Sequence, residues 1–509
     1  MYFPNLATVA GVVEFHADRT PATMAISCAG RSLTYAELHR NSNRIANAIT
    51  AAGLRPGSRV AYLGKESEHY YEILFAAAKS ATVLVPINWR LTAGEVDHIL
   101  RDSGTELLFV EHALADVAQN VQIVELDHGF DAWQAGQPDT DRVPGTSPDD
   151  PIVQLYTSGT TGLPKGVVLA QRSFFAIRDA LARDGLDWID WRAGDRSLIG
   201  IPGFHVGGIW WAMQGFNAGI TNVAMPRFDS ADAVRLIREH GITTVCVVPS
   251  MLRLLLAEPD VGPADFATVR KIVYGGSPIS ETLLTEAIRV CDAEFAQIYG
   301  LTETGNTAIC LPPADHKPGS PRLRAAGRPY PGVEVKIIDQ TGDPLPTDEV
   351  GEVCLKTPAR MLEYWANPTA TEQTLIDGWI HTGDAGHLDA DGYVHISDRL
   401  KDMIIVAGEN IYPTEIENAL SKHPAVAEAA VVGIPDDRFG EAVCAFVALR
   451  PDCQAGPREL LLFLKKSLAS FKIPSRFEFV EAVPRNPSGK ILRRELREVF
   501  WRGRNRQVN

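Results

Sequence analysis

The sequence predicts an α/β protein, and three observations support that fold class. Apolar strands alternate with segments of helical length through about the first 300 residues, as in a mostly parallel sheet covered by helices. After Gly332 the apolar segments become short and lie between turn signals, which indicates antiparallel strands. Beyond residue 402 a segment of roughly a hundred residues has its own helices and strands, a normal size for a small domain.

The parallel part begins with a β-α-β unit. Residues 59–63 form an apolar strand, residues 66–79 have helical spacing, and residues 82–86 form a second strand. The pattern recurs in strands at residues 242–248, 269–274 and 294–299 and in helices at residues 231–240 and 280–291. Parallel strands need crossover connections of this length, so the alternation favours parallel pairing.

The later strands and the C-terminal unit follow other patterns. Short strands at residues 335–339, 351–356 and 393–396 are separated by turns such as Asp391-Gly392, and they predict an antiparallel subdomain. The C-terminal unit is predicted to contain a helix at residues 414–422, a strand pair at 428–449 and a helix at 458–470. We therefore divide the chain into two bodies, residues 1–400 and residues 401–509.

Composition and charge describe a globular chain without a preference for polyanions. Of 509 residues, 45% are hydrophobic and 22% charged, which excludes collagen-like, disordered and disulfide-scaffold classes. The net charge is −14, so we expect neither nucleic acid nor an anionic membrane as the main partner. Seven cysteines without a C-x-x-C pair predict a reduced cytoplasmic protein with buried thiols.

Residues 198–226 contain no Asp, Glu, Lys or Arg and are long enough to span a membrane. Their proline, histidine, asparagines and glycines would leave polar groups unsatisfied in lipid, so we expect a buried pocket wall and no integral membrane segment. The first fifteen residues lack a basic region, which argues against a cleaved signal peptide.

Residues 465–509 are basic, with twelve Lys or Arg against four Glu, and are interpreted as a solvated terminal helix or as a lid that faces an anion.

The strongest local signal is YTSGTTGLPKG at residues 156–166, directly after an apolar strand. Small and hydroxylated residues let backbone N–H groups approach phosphate oxygens, and Lys165 supplies a mobile cation. The segment is not a Walker A loop, because two residues separate Gly159 from Gly162 and Gly166 follows Lys165. By composition alone, a phosphate-binding loop and a flexible surface loop remain equally open.

This string resembles the signature of the adenylate-forming superfamily of AMP-binding enzymes, which includes acyl-CoA synthetases, the adenylation domains of peptide synthetases and beetle luciferases. Six further strings resemble its other motifs in the same order: PGFH at 202–205, YGGSP at 274–278, QIYGLTE at 297–303, GWIHTGD at 378–384, DRLKD at 398–402 and PSGK at 487–490. The resemblance implies a large N-terminal domain that binds AMP and the acyl substrate, and a small mobile α+β C-terminal domain.

The resemblance also implies an ATP site. It assigns ATP or AMP binding to Thr157, Ser158, Gly159, Thr160, Thr161, Gly162, Lys165, Gly275, Gly276, Ser277, Gln297, Tyr299, Gly300, Asp384 and Arg399. In this assignment Tyr299 stacks on adenine, and Asp384 accepts hydrogen bonds from the ribose hydroxyls with support from Arg399. Taken singly, Tyr299 would more often be a core aromatic residue and Asp384 a turn former.

Four residues are assigned to catalysis by the same resemblance: Lys490, Thr302, Glu303 and His205. Lys490 would bridge the acyl carboxylate and the phosphoryl oxygens, Thr302 would contact the α-phosphate, and Glu303 would be the Mg²⁺ ligand. His205 is interpreted as a pocket residue near the carboxylate or as a packed core histidine. Without their motifs, Glu303 would be an exposed loop acid and Lys490 a solvated lysine.

The resemblance further assigns a hinge and two pockets. Lys401 occupies the hinge between the domains, and Gly408 would lie near the pantetheine of CoA. The acyl pocket would be lined by Phe204, Val206, Gly207, Gly208, Tyr274 and Ile298, with Trp210 and Trp211 nearby. We therefore expect a hydrophobic acid, whether fatty, alicyclic or aryl, because no fixed acidic group in this segment would bind an α-amino group.

The function implied is an ATP-dependent acyl-CoA synthetase that uses Mg²⁺ as cofactor and ATP and CoA as co-substrates. The reaction would form acyl-AMP, release pyrophosphate and transfer the acyl group to the CoA thiol. The alternative is a stand-alone ligase that loads a carrier protein; an inactive binding protein is disfavoured because the expected catalytic residues are present. A homodimer is possible, and we expect no carrier domain within this chain.

Overall fold

Four β-sheets and their flanking helices form the described part of the chain, which is residues 1–117, 121–127, 129–141, 146–157, 164–406, 409–436, 438–485 and 490–502 of a computed structural model. Two large mixed sheets contain the strands up to Pro329 and the short strand Glu363–Tyr364, a third sheet contains the other strands between residues 334 and 399, and the fourth belongs to the C-terminal unit. The predicted α/β class is confirmed.

Strands and helices alternate through the first 157 residues. The elements are α1 (Val9–Arg19), β1 (Met24–Cys28), β2 (Arg31–Thr34), α2 (Tyr35–Ala51), β3 (Arg59–Leu63), α3 (Glu68–Ser80), β4 (Val83–Ile87), α4 (Ala93–Ser103), β5 (Thr105–Val110), β6 (Gln122–Glu125), α5 (Phe130–Gln134) and β7 (Pro151–Thr157). The predicted β-α-β unit is therefore β3-α3-β4. Both α2 and α4 begin with a Thr-x-x-Glu capping box, which satisfies N–H groups at the helix start.

The alternation continues to residue 329. The elements are β8 (Lys165–Ala170), α6 (Ala176–Arg183), β9 (Arg196–Ile199), α7 (Val206–Ala218), β10 (Thr221–Ala224), α8 (Ser230–His240), β11 (Thr244–Val247), α9 (Pro249–Ala257), β12 (Lys271–Gly275), α10 (Glu281–Cys291), β13 (Glu294–Tyr299), β14 (Ile309–Leu311) and β15 (Arg328–Pro329). The uncharged segment at 198–226 thus contains α7, which is buried on nearly all sides. None of the helices in the described part of the chain combines the length and apolar character that a transmembrane helix requires.

Seven more elements complete the part of the chain before residue 400: β16 (Glu334–Ile338), β17 (Gly351–Lys356), β18 (Glu363–Tyr364), α11 (Pro368–Thr374), β19 (Leu375–Ile376), β20 (Trp379–Leu388) and β21 (Val394–Arg399). The first large sheet has the order β15-β14-β13-β12-β11-β9-β10-β1-β2, and its central strands are parallel. The second has the order β18-β8-β7-β4-β3-β5-β6. The third contains β16, β17, β19, β20 and β21, all in antiparallel pairs, in agreement with the predicted antiparallel subdomain.

The C-terminal unit has its own sheet and core. Its elements are β22 (Ile404–Val406), β23 (Glu409–Ile411), α12 (Pro413–Leu420), β24 (Val426–Asp436), β25 (Gly440–Leu449), α13 (Pro457–Leu464), β26 (Arg476–Phe479) and α14 (Arg493–Trp501). The helix predicted at 458–470 ends at Leu464, after which the Lys466 and Ser467 N–H groups bond three residues back, so the last turn tightens to 3-10 geometry.

The basic tail contains a packed helix instead of a fully solvated one. Leu496 and Trp501 of α14 are buried, and the Trp501 indole N–H donates to the Gly433 carbonyl of β24 at 3.0 Å. One ion pair joins the C-terminal unit to α9: Arg253 Nη1 lies 2.7 Å from Glu428 Oε1. The division into domains at residue 400 stays a prediction.

The cysteines are unpaired, as a reduced protein requires. Six are buried within the two units, and all seven are free thiols. Cys453, in the connection between β25 and α13, is the exposed one.

Candidate active site

The predicted phosphate loop lies mostly outside the described residues, which exclude Ser158, Gly159, Thr160, Thr161 and Gly162. The described flanks are informative. Thr157 ends β7 and Lys165 begins β8, and the two residues are direct partners in an antiparallel pair. The two ends of the loop are therefore held side by side by a regular hairpin.

Lys165 is connected to Glu303 through Tyr364. The Lys165 ammonium lies 5.3 Å from the centre of the Tyr364 ring, and the Tyr364 hydroxyl donates to Glu303 Oε1 at 2.6 Å. Tyr364 is placed there because β18 pairs with β8, with Tyr364 opposite Val167. Sequence reasoning missed Tyr364, since nothing in the local pattern indicates that this short strand joins the sheet edge.

Thr302 and Glu303 lie in a short 3-10 turn directly after β13. The Met361 N–H donates to the Glu303 carbonyl at 2.8 Å, which fixes the turn against the segment that leads to β18. Gly300 is required at this point, because a Cβ there would lie 2.2 Å from the Asn306 carbonyl oxygen. The turn thus presents Thr302 and Glu303 at the carboxyl end of a parallel strand, the edge where α/β sheets bind ligands.

Tyr299, Asp384 and Arg399 form one hydrogen-bonded cluster. The Tyr299 hydroxyl donates to Asp384 Oδ2 at 2.6 Å, and Arg399 Nε lies 2.7 Å from Asp384 Oδ1. Asp384 and Arg399 are direct partners in the β20–β21 pair, so the sheet register sets their approach. Burial raises the pKa of Asp384, which is 4% exposed, while the Arg399 charge offsets part of that rise.

The turn before Asp384 is held by groups that the sequence did not indicate. Glu352 Oε1 accepts a hydrogen bond from the Gly383 N–H at 3.0 Å, and Glu352 Oε2 lies 3.1 Å from His381 Nδ1. The Thr382 hydroxyl accepts from the Asp384 N–H, also at 3.0 Å. These contacts fix the carboxylate of Asp384 in place before any ligand binds.

Lys490 lies close to this cluster. Burial lowers the pKa of its ammonium to about 8, with Arg399 and Lys401 lowering it further and Asp384 and Asp402 opposing them. The C-terminal unit thus brings a cation close to the Asp384 carboxylate, in the middle of β20, and to the Arg399 guanidinium, at the end of β21. Residues 486–489, which include the rest of the PSGK motif, lie outside the described residues.

Lys401 lies in a 3-10 turn at residues 400–402, directly after β21. The pKa of Lys401 is lowered chiefly by burial, and the Asp402 carboxylate acts in the opposite sense. Asp398, just before the turn, accepts hydrogen bonds from the Thr414 N–H and hydroxyl, both at 2.9 Å. The predicted hinge is thus bounded by a contact to the start of α12. Gly408 lies outside the described residues.

The glycines predicted to line the adenine site and part of the predicted acyl wall lie on the neighbouring parallel strands β12 and β13. In the β12–β13 pair, Tyr274 lies opposite Gln297 and Gly275 opposite Ile298. A Cβ at Gly275 would lie 2.4 Å from the Ile298 carbonyl oxygen, so only glycine allows this approach. Gly276 and Ser277 follow where β12 ends, and Gly276 has a φ of 82°, which also favours glycine.

The remaining predicted acyl residues surround the N-terminus of α7. Phe204 and His205 precede the helix with their rings 4.7 Å apart, and Val206 is its first residue. A Cβ at Gly207 would lie 3.5 Å from Asn306 Oδ1, which places this group beside the segment that follows Glu303. Burial lowers the pKa of His205 to about 4, and Arg90 contributes in the same direction, so the imidazole is neutral at neutral pH.

The hairpin at Thr157 and Lys165, the buried Asp384 carboxylate and Lys490 of the C-terminal unit are the groups that the motifs of the adenylate-forming superfamily lead us to expect. The chain matches the model of the AMP-binding enzyme family at residues 13–365 and that of the AMP-binding enzyme C-terminal domain at residues 415–490. It therefore belongs to the AMP-binding enzyme family, and the resemblance seen in the sequence is confirmed.

Relatives with assigned activities match over nearly the whole chain. The fatty acid–[acyl-carrier-protein] ligase ScoC of Streptomyces coeruleorubidus is 64% identical over 100% of this chain and 99% of its own length. The feruloyl-CoA synthase of an Amycolatopsis species is 37% identical over 95% of this chain and 97% of its own length. The solved structure of o-succinylbenzoate CoA synthetase from Bacillus subtilis, with its acyl-adenylate intermediate, has a TM-score of 0.85 at 31% identity and covers 95% of this chain and 97% of its own.

Proposed function

We propose that this chain activates a fatty acid as its acyl adenylate and transfers the acyl group to the thiol of an acyl carrier protein. The observation that carries the proposal is the full-length match, at 64% identity, to a relative named as such a ligase. The relatives named for CoA as acceptor match at 37% or less over most of this chain. Relatives of both kinds activate a carboxylic acid, and they differ in the thiol that accepts the acyl group. The proposal therefore depends on the 64% identical relative only for the choice of acceptor.

In the first half-reaction a carboxylate oxygen attacks the α-phosphorus of ATP, the bond to the β-phosphate breaks, and pyrophosphate leaves. Two anions must approach each other, so the site has to supply fixed positive charge. Lys490 fits this role, because its ammonium lies near Arg399 and is mostly protonated at neutral pH. We assign Lys490 to the contact between the acyl carboxylate and the phosphoryl oxygens.

The nucleotide would be held by groups on the large unit. Asp384, with two acceptor oxygens, suits a pair of ribose hydroxyls, and Tyr299 offers an aromatic face for adenine. Thr302 would contact the α-phosphate. The hairpin formed by Thr157, Lys165 and the loop between them would hold the β- and γ-phosphates.

Glu303 is suited to hold Mg²⁺, because its carboxylate is a hard oxygen donor and lies next to Thr302. The geometry supports the fit: Tyr364 holds the Glu303 carboxylate through Oε1, in a partly exposed turn, and the Lys165 ammonium lies over the Tyr364 ring. When bound, the ion would supply positive charge for the phosphate oxygens of ATP.

The acid would bind at the N-terminus of α7, beside Phe204 and Gly207. A Cβ at Gly207 would have no neighbour closer than 3.5 Å, whereas Gly208 packs tightly on the Ile201 and Pro202 carbonyls. Trp210 and Trp211 are buried behind this point and form part of the hydrophobic core. Because His205 is neutral, it places no charge against the apolar acyl chain. These features support a hydrophobic acid, and we propose a fatty acid because the 64% identical relative is named for one.

In the second half-reaction the thiol sulfur attacks the carbonyl carbon of acyl-AMP, the bond to the phosphate oxygen breaks, AMP leaves, and the thiol proton passes to solvent. We propose that rotation at Lys401 withdraws Lys490 and brings the segment around Gly408 towards the thiol arm. This hinge would let one unit serve both steps in turn.

CoA is the second candidate acceptor. It is favoured by the several relatives named as CoA ligases or synthases that span more than nine-tenths of the chain at 35% to 37% identity. CoA and a carrier protein present the same pantetheine thiol, so the adenylation site does not distinguish them.

The test is a competition between the two thiols. A panel of carboxylic acids is incubated with ATP, Mg²⁺ and either CoA or a phosphopantetheinylated acyl carrier protein, and intact masses of CoA and protein are recorded. We expect the carrier protein to gain the acyl mass faster than CoA, with the unmodified carrier as control. Faster acylation of CoA would overturn the choice of acceptor, and absence of ATP–pyrophosphate exchange with every acid would overturn adenylation itself.

A further inference from the structure

A buried carboxylate lies against the loop that leads into α7. Glu66, between β3 and α3, is 6% exposed. The Tyr71 hydroxyl donates to Glu66 Oε1 at 2.5 Å, and the Gly203 N–H donates to Glu66 Oε2 at 2.8 Å. Among the ion pairs of the described residues, none includes Glu66. The carboxylate is therefore held by a hydroxyl and a backbone amide instead of by a cation.

Gly203 is fixed on both of its backbone groups. The Tyr70 hydroxyl donates to the Gly203 carbonyl at 2.8 Å, while the Gly203 N–H donates to Glu66. A Cβ at Gly203 would lie 2.5 Å from the Tyr70 ring, so the loop packs directly on α3. The next residues are Phe204 and His205, and the position of Gly203 therefore sets where both side chains begin.

We propose that Glu66 is a positioning residue for the acyl pocket: through Gly203 it fixes Phe204 and His205 and thereby sets the affinity for the carboxylic acid. This inference rests on the proposed function, because it takes the N-terminus of α7 to be the acyl site. Glu66 itself does not touch the acid in this account.

The choice of a carboxylate at this position supports a functional role. Burying an unpaired carboxylate is costly, and a neutral amide of the same size could satisfy the same two partners. A carboxylate differs from an amide because each of its two oxygens can accept a hydrogen bond, here from the Tyr71 hydroxyl and from the Gly203 N–H. Its charge also makes both hydrogen bonds stronger than those of a neutral group. Burial raises the pKa of Glu66 to about 7, so the carboxylate gains its charge near neutral pH.

Other titratable groups surround Glu66 and bear on any pH dependence. Those that interact with Glu66 are Cys28 of β1, Tyr62 of β3, and Tyr70 and Tyr71 of α3. Glu68 and Glu111 act on Cys28 and Tyr62, and His205, two residues after Gly203, has Arg90 as its charged neighbour. Burial raises the pKa of the Cys28 thiol to about 12 and lowers that of His205 to about 4. Both groups therefore keep one protonation state between pH 6 and 8.5.

The experiment measures ATP–pyrophosphate exchange by the full chain between pH 6 and 8.5, with separate KM values for the acid and for ATP. The variants are Glu66→Ala, Glu66→Gln and the control Glu68→Gln, which changes a buried carboxylate of α3 that pairs with Arg31 instead of Gly203. For Glu66→Ala we expect the KM for the acid to rise about 10-fold, as for a buried donor left unsatisfied, with the KM for ATP unchanged.

The pH profile separates positioning from a merely structural role. In the unchanged chain the KM for the acid should fall several-fold as the pH rises through about 7, because the charged carboxylate binds the Gly203 N–H more strongly. Glu66→Gln should remove that fall and keep folding intact, and Glu68→Gln should retain it. Equal changes in both KM values, or an unchanged pH profile in Glu66→Gln, would overturn the inference. If Glu68→Gln retains ATP–pyrophosphate exchange, the proposed adenylation activity stands, and a negative result for the Glu66 variants then counts against the positioning role alone.

Discussion

The protonation of Lys490 is set by four neighbouring charges and by burial. Burial comes first and lowers its pKa to about 8; Arg399 and Lys401 act in the same direction, and two carboxylates oppose them. A lysine in water would have a pKa of about 10.4, so this ammonium is easier to deprotonate than an exposed one. The same surroundings that place Lys490 for chemistry therefore limit the pH range in which it is a cation.

Replacing Lys490 tests its assigned role. Lys490→Ala should lower the rate of acyl-adenylate formation by about 100-fold or more, as loss of a transition-state charge contact does, and should spare thioester formation from supplied acyl adenylate. ATP–pyrophosphate exchange and thioester mass measure the two steps. Lys472→Ala, which removes a lysine of the same unit paired with Glu415, is the control. Equal loss in both half-reactions would contradict the role.

The pH dependence of adenylation gives a second test at the same residue. The pKa of Lys490 is lowered, so the ammonium is present below about pH 8 and is lost as the pH rises through that value. The kcat/KM for exchange, which reports the free enzyme, should therefore fall above about pH 8. Lys490→Arg should be slower but should lack this fall, because the guanidinium stays charged. A fall in both proteins would assign the titration to another group.

The turn at residues 400–402 joins two elements that belong to different sheets, β21 and β22. Few hydrogen bonds constrain its own backbone: it is a single 3-10 turn, and the Met403 N–H donates back to the Arg399 carbonyl at 3.1 Å. A short connection of this kind absorbs a change in backbone angles without disturbing either sheet.

Lys401→Pro tests this turn as a hinge. Proline fixes φ near −65°, so the variant should keep adenylation within about twofold and should slow thioester formation by about 10-fold or more. Single-turnover measurements of each half-reaction provide the comparison, and Lys401→Ala, which keeps the backbone free, is the control. Thioester formation at the original rate in the proline variant would refute the hinge.

The local sequence predicts helices and strands best where the hydrophobic pattern fits one type of element clearly. The apolar segment at 59–63 and the alternating segment at 351–356 are strands with those same bounds, β3 and β17. The sequence pattern does not predict α7 as a helix, because its glycines and its burial on nearly all sides remove the usual amphipathic pattern. The motif strings assign Asp384 and Lys490 to one site, and the charge of Asp384 acts on Lys490 in the structure. Glu66 and Tyr364 were missed, since their partners lie 137 and 61 residues away in sequence and are set by tertiary packing.

Across the whole molecule, the C-terminal unit contacts the large one at more than the hinge. Lys490 lies by Asp384 while Arg253 of α9 pairs with Glu428 of β24, so two separate regions define one relative orientation. Arg485 also lies 3.2 Å from Glu428, within the C-terminal unit. This orientation is the one that the proposed first half-reaction requires.

Arg253→Ala tests the contribution of that orientation. Both partners are partly exposed, so we expect the ion pair to contribute about 0.5–1 kcal/mol, equivalent to a two- to fivefold loss in adenylation rate. Thioester formation from supplied adenylate should not fall, and the loss should shrink at high salt. The control is Arg235→Ala, which breaks exposed pairs within α8. A loss of the same size in both half-reactions would show that Arg253 supports the fold and not the orientation.

The distribution of the thiols offers a direct test of the proposed rotation at residue 401. Burial raises the pKa of thiols such as Cys28 to about 12, whereas Cys453 is exposed on the C-terminal unit. Because exposed thiolates react first, a maleimide dye should label the unaltered sequence at Cys453. Energy transfer between that dye and a fluorescent nucleotide on the large unit should then change during turnover if the C-terminal unit rotates, without an engineered cysteine.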